Sequence, residues 1–124
     1  MKKIIALTLA MFSSLAFADY SGEWDQPTVL TKGTQGEALI IDVRSPGEYA
    51  EGHVPNAINI PHNDIDSHLS KLDGYKNKDI VIYCRSGKRA GIAEGILSEK
   101  GFTQIYHLKG DMNGWKAANM KIAK

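Results

Sequence analysis

The single cysteine of the chain, Cys84, stands in the stretch IVIYCRSGKRAG, between an apolar run and the cations Arg85, Lys88 and Arg89. A thiol so placed can attack phosphorus, carry sulfur or merely fill space. The chain must turn through Arg85-Ser86-Gly87 to enter a helix predicted from about Lys88. Successive backbone N–H groups in such a turn converge into an anion-binding nest. The orphan N–H groups and positive dipole end of the helix point the same way. A free cysteine near pKa 8.5 falls to roughly 3.5–7.5 at a helix N-terminus or beside cations, so these surroundings favour thiolate. Gly87 permits close backbone approach. Ser86 carries a hydroxyl able to donate to sulfur, and Ala90 ends the run of backbone donors that begins at Arg85.

A nucleophilic cysteine in an anion cradle fits two chemistries. Cysteine phosphatases place an arginine six positions after the cysteine, where it forks onto a phosphoryl group. Here that position is Ala90, and Arg89 lies one residue short. A general-acid aspartate in a nearby loop is not identifiable either. The smaller ring suits a smaller group, a single sulfur atom held on the cysteine as a persulfide anion.

The elements that must position the thiol follow from the apolar pattern. ALIIDV (38–43) is a continuous apolar, β-branched run of the kind found in buried parallel strands. A short strand is expected at AINI (57–60), and further strands at DIVIYC (79–84), the most strongly apolar, and QIYHL (104–108). Pro46 suits a helix first turn. A helix capped by Asn63 or Asp64 runs to Leu72 with Ile65, Leu69 and Leu72 on one face. Another spans about Lys88 to Lys100, with Ile92, Ile96 and Leu97 inward and Gly101 at its end. A last short helix is predicted near Gly114 to Asn119. Strands alternating with helices imply an α/β fold, a central parallel sheet flanked by helices on both faces. Ligands bind beyond the carboxyl ends of such strands, where Cys84 sits.

Residues 19–36 are polar and rich in Gly, Thr and Gln, and are expected to form an irregular arm with one short element near Thr28-Val29-Leu30; the folded domain is then 37–124. Before them, MKKIIALTLAMFSSLAFA combines a basic start, a short apolar centre and an A-x-A ending, the pattern of a secretory signal peptide over residues 1–18. Its apolar run is shorter than the roughly 20 residues of a spanning helix. Cleavage after Ala18 and a periplasmic location are the expectation, with no membrane attachment once the leader is removed. A formal net charge of +1, with 15 basic residues including Lys2 and Lys3 against 14 acidic ones, signals no nucleic-acid partner. In an oxidising compartment a lone cysteine has no partner in its own chain, so it is either buried or used.

Three segments, DVRSPGEYAEGHVPNAINIP (42–61), YCRSGKRA (83–90) and LKGDMNGW (108–115), together resemble the rhodanese family of thiosulfate sulfurtransferases. The six residues from Cys84 to Arg89 resemble that family's C-R-x-G-x-R loop. The likeness spans about Ala38 to Trp115 and, with the leader, suggests an exported single-domain member. It implies that Cys84 attacks the outer sulfur of a small anionic donor such as thiosulfate and passes it to cyanide or a thiol, without metal or organic cofactor. The backbone N–H groups of Arg85, Ser86, Gly87, Lys88, Arg89 and Ala90 would hold the persulfide, with Arg85, Lys88 and Arg89 attracting the donor. A protein partner is compatible with this chemistry. A small phosphatase or arsenate reductase, and a non-catalytic rhodanese-like binding module, remain the alternatives.

Asp42 and Arg44 end a strand near the site, but a structural role is favoured, with Arg44 pairing Glu48 to fix the turn. His53 lies in a segment that reads as structural, and a pre-formed thiolate needs no base. His62, His68 and His107 lack ligand spacing, so no metal site is expected. Trp115 suits either a pocket wall or the core, and Met112 and Asn113 are placed near the site by sharing its loop.

Overall fold

The computed structural model describes residues 19–124, so the expected leader lies outside the described residues. Five strands form one parallel sheet: β1 (Gly22–Trp24), β2 (Leu39–Asp42), β3 (Ile58–Asn59), β4 (Ile80–Tyr83) and β5 (Ile105–Leu108). Their order is β1-β5-β4-β2-β3, which puts the most apolar strand, β4, at the centre. The helices are α1 (Gln26–Thr34), α2 (Pro46–Glu51), α3 (Leu69–Leu72), α4 (Lys88–Glu99) and α5 (Asp111–Ala117), with 3₁₀ turns at His62–His68 and Asp73–Tyr75. Among the described residues no helix is long and apolar enough to cross a membrane.

Successive strand residues point to opposite faces, and the core divides accordingly. Ile41, Ile80, Ile82 and Cys84 join Ile65, Leu72, Ala90, Ala93 and Leu97 under α3 and α4. Ile40, Val81 and Tyr83 join Val29, Leu108, Met112 and Trp115 under α1 and α5. The α/β reading with helices on both faces therefore holds, and the four strands expected from the apolar runs all form.

Residues 19–36 depart from the expected irregular arm. Glu23 and its neighbours in β1 pair in parallel with β5, and Val29 of α1 is fully buried. Asp25 caps α1 by accepting from the Thr28 N–H at 3.0 Å, and Pro27 sits in its first turn. Ahead of β1, the Asp19 N–H donates to Glu94, a carboxylate buried in α4 that also accepts from the Ser98 hydroxyl.

Two helical expectations are also corrected. The stretch after Pro61 is 3₁₀ from His62 to His68 before becoming α3, although Ile65, Leu69 and Leu72 face the core as expected. In α4 the inward positions are Ala90, Ala93, Glu94 and Leu97, and Ile92 is 46% exposed. Small residues let the helix lie close on the sheet, so its inner face is not the one with the largest side chains.

Candidate active site

β4 delivers Cys84 to the C-terminal edge of the sheet on the α4 side, and its side chain is buried. The loop that follows turns back at Gly87, whose φ of +122° L side chains rarely adopt, and enters α4 at Lys88. This bend brings the Gly87 N–H onto Cys84 Sγ at 3.0 Å. Among the described residues, the N–H groups of Arg85, Ser86, Lys88, Arg89 and Ala90 donate to no protein acceptor. A buried sulfur thus lies in a rim of free donors, the arrangement that stabilises an anion on or beside it.

The start of α5 clamps the same loop from behind. Asp111 Oδ1 accepts from the Cys84 N–H at 3.0 Å, while the N–H groups of Met112 and Asn113 donate to the carbonyls of Cys84 and Arg85. Met112 and Asn113 therefore act on the site through their backbone. Trp115 is core: it is fully buried and donates Nε1–H to the Lys121 carbonyl at 2.8 Å.

The cations of the loop differ. Arg85, Lys88 and Ser86 are exposed at the rim, and no hydrogen bond joins the Ser86 hydroxyl to the sulfur. Arg89 forks onto Glu48, with Nη1–Oε1 at 2.7 Å and Nη2–Oε2 at 3.1 Å. Glu48 also closes the capping box of α2 with Ser45. The hydrogen bond from Arg89 pulls the Glu48 carboxyl down from 4.5 to about 2, against partial burial and with help from Ser45. In the unfolded chain Glu48 takes up its proton near 4.5. The link is thus fully present above that pH and is lost as pH falls toward 2. A carboxylate titration followed by NMR is expected to place the Glu48 midpoint near 2, and Arg89→Gln to return it toward 4.5. An ordinary midpoint in the unaltered protein would show that the ion pair does not persist in solution.

Arg44 does not pair with Glu48. It binds Asp42 instead, through Nε at 3.0 Å and Nη2 at 2.7 Å, on the sheet face opposite Cys84. Tyr83 donates its hydroxyl to the same carboxylate at 2.7 Å, and Arg44 also reaches the Gly52 carbonyl. The structural role expected for both residues stands, with a different partner. His53 is structural too: its ring stacks on Tyr49, Nδ1 contacts the Tyr49 carbonyl at 2.9 Å, and its backbone bridges to Ala123. His62 lines a cleft of about 290 Å³ with Ser45, Pro46, Pro61, Asp64 and Arg89, an approach to the rim not foreseen from sequence. No group of described residues is arranged to hold a metal ion.

Asp111 and His107 were also not foreseen as neighbours of the site. His107 Nε2 lies 3.0 Å from both Asp111 oxygens, and Nδ1 lies 3.3 Å from Glu23 Oε2. The only trace of this in sequence is an aspartate directly after Gly110, in a turn where both residues take positive φ.

The family described as rhodanese-like domain matches residues 26–118. A sulfurtransferase of Allochromatium vinosum is 34% identical over 86 residues, covering 69% of this chain and 78% of that protein. Thiosulfate sulfurtransferase PspE of Escherichia coli is 39% identical over 70 residues, covering 56% of this chain and 67% of its own. Among solved structures, a Lactobacillus plantarum protein superposes over the whole of both chains with a TM-score of 0.72 at 26% identity. The rhodanese-like domain of Anabaena Alr3790 gives 0.71 at 28% identity, covering 82% of this chain and 77% of that one. With a thiol at the strand end, the loop geometry and these likenesses together, the chain belongs to the rhodanese-like domain family, and its relatives support a sulfurtransferase role.

Proposed function

We propose that the protein takes a sulfane sulfur from thiosulfate, or a related small anion, onto Cys84 and passes it to a thiol or cyanide. The carrying observation is the Gly87 N–H on Sγ at 3.0 Å within a rim of unpartnered N–H groups. In the first step the Cys84 thiolate attacks the outer sulfur of thiosulfate. The S–S bond breaks, sulfite leaves with the electron pair, and a Cys84 persulfide remains. In the second, the acceptor attacks the outer sulfur and Cys84 leaves as thiolate. Two displacements on one nucleophile give ping-pong kinetics. Small acceptors and exposed protein thiols meet the same chemical requirement.

The phosphatase and arsenate reductase readings are weaker. Position 90 is a fully buried alanine, and the nearest arginine, Arg89, is committed to Glu48. The binding-module reading leaves the thiol and its donors without use. Residues 1–18 are read as a leader cleaved after Ala18, which places the protein in the periplasm. An intact mass of periplasmic protein beginning at Asp19 would support that location.

Incubation with thiosulfate is expected to add one sulfur to the intact mass of the wild-type chain and none to Cys84→Ser. Thiocyanate formation in that variant should fall to the uncatalysed background, and aryl-phosphate hydrolysis should be absent from both. A wild-type chain that gains no sulfur and makes no thiocyanate would overturn the proposal.

A further inference from the structure

Asp111 is out of place by the ordinary rules of backbone and burial. It is 2% exposed and has φ of +55°, a left-handed conformation that a non-glycine residue adopts only at a cost. It follows Gly110, itself at φ +77°. A glycine would fit position 111 with less strain and with no buried charge. The aspartate side chain is instead fully engaged. Oδ1 accepts the Cys84 N–H at 3.0 Å, both oxygens face His107 Nε2 at 3.0 Å, and a Cβ on Gly87 would lie 3.3 Å from Oδ2. The carboxylate thus holds one end of the turn that wraps the sulfur and leaves no room for a side chain at the other.

A carboxylate in this position opposes an anion on Cys84. The surroundings of His107 supply the remedy. A carboxylate faces each of its ring nitrogens, Glu23 at Nδ1 and Asp111 at Nε2. A neutral imidazole donates from one nitrogen only and would turn a lone pair on the other acid, whereas the imidazolium satisfies both. Burial works against the charge, but Asp111 and then Glu23 outweigh it and raise the His107 pKa above its ordinary value. The other ionisable groups on this pair are the Tyr20 phenol, stacked on the His107 ring with centroids 4.9 Å apart, and Cys84 itself. Tyr20 is held neutral by its burial and then by the negative charges of Asp111 and Glu94. His107 is therefore the cation closest to Asp111.

We infer that Asp111 and His107 form a positioning pair: Asp111 fixes the Cys84 amide and the Gly87 turn, and protonated His107 cancels the charge that the carboxylate would otherwise turn on the sulfur anion. The inference rests on the reading of Cys84 as a sulfur-carrying thiolate, but its test does not require sulfur transfer. Iodoacetamide alkylation of Cys84 is measured against pH in the full-length wild-type chain, Asp111→Asn and His107→Gln, with thermal melting as a check on folding.

His107→Gln leaves the carboxylate uncompensated. Its alkylation midpoint should move up by about one pH unit, roughly tenfold in rate below the midpoint. Asp111→Asn keeps an acceptor for the Cys84 N–H and removes the negative charge, so its midpoint should move down. A merely structural pair would loosen the loop in both variants and shift both midpoints the same way. Shifts of like sign, or none, overturn the inference. Should Asp111→Asn fail to fold, His107→Lys, which keeps a cation beside Asp111 and removes the ring, decides: a midpoint near that of wild type sustains the inference, and a rise matching that of His107→Gln overturns it. Opposite shifts in a chain that acquires no sulfur from thiosulfate would sustain the pair and overturn the sulfurtransferase reading instead.

Discussion

Asp42→Ala is expected to destabilise the fold by about 3–5 kcal/mol, the cost of breaking a buried ion pair by deleting one partner. Asp42 is fully buried and accepts from the Arg44 amide, the Arg44 guanidinium and the Tyr83 hydroxyl. Alanine would leave a guanidinium that is 4% exposed with only the Gly52 carbonyl, and would orphan the Tyr83 hydroxyl, whose remaining contact accepts the Val54 N–H. Urea unfolding should show a lower midpoint at unchanged slope. The companion variant Asp42→Ala/Arg44→Met, which removes both charges, should recover much of the loss because the desolvation penalty disappears with them. A single variant within about 1 kcal/mol of wild type would mean that water reaches the pair, as it does for exposed ion pairs. Activity is a secondary readout here, since the network lies on the face away from Cys84.

Gly87→Ala should reverse the balance, costing transfer far more than stability. At φ +122° a Cβ is strained whatever space is available, and here it would meet Asp111 Oδ2 at 3.3 Å. Relief of that strain rotates the 86–88 turn and takes the Gly87 N–H off the sulfur. Loss of one preorganised donor to a developing anion costs about 10²–10³ in rate. The expected fall in kcat/KM for thiosulfate is therefore about 10²-fold or more, with a stability loss of about 1–2 kcal/mol for one strained residue. Near-normal kcat/KM in a folded Gly87→Ala would show that the amide rim does not stabilise the persulfide.

The parallel sheet and the cysteine loop were legible because their signals are local. Ile80 to Tyr83 is apolar on both faces, as a central parallel strand must be. The step from Cys84 through Gly87 to Lys88 is a strand–turn–helix junction written in adjacent residues. What escaped depended on residues far apart or on weak propensities. α1 carries Thr28, Val29, Thr31, Gly33 and Thr34, poor helix formers whose placement is decided by packing, so only a short element near Thr28-Val29-Leu30 was expected and the Asp25 cap and Pro27 in the first turn went unread. β1 has three residues and gains its strand character from pairing with β5. The inner face of α4 was misjudged because Ala90 and Ala93, not Ile92, suit close packing on a sheet. Arg44 was given the wrong partner although strand alternation places Asp42 on its own side two residues away. The approach of His107 and Asp111 to Cys84 spans strand and helix ends that no local pattern relates.

The sheet order also bears on the sequence of assembly. Gly22 pairs with Tyr106, and β1 has no other strand neighbour. The first strand among the described residues therefore cannot dock until the last has been made. The β3-β2-β4 portion needs only residues 39–83 and can gather earlier. Closing so long a loop is entropically costly, so β1 is expected to join late. The Asp19 amide, which is held by Glu94 in α4, is thus carried by the segment expected to dock after the centre of the sheet is in place.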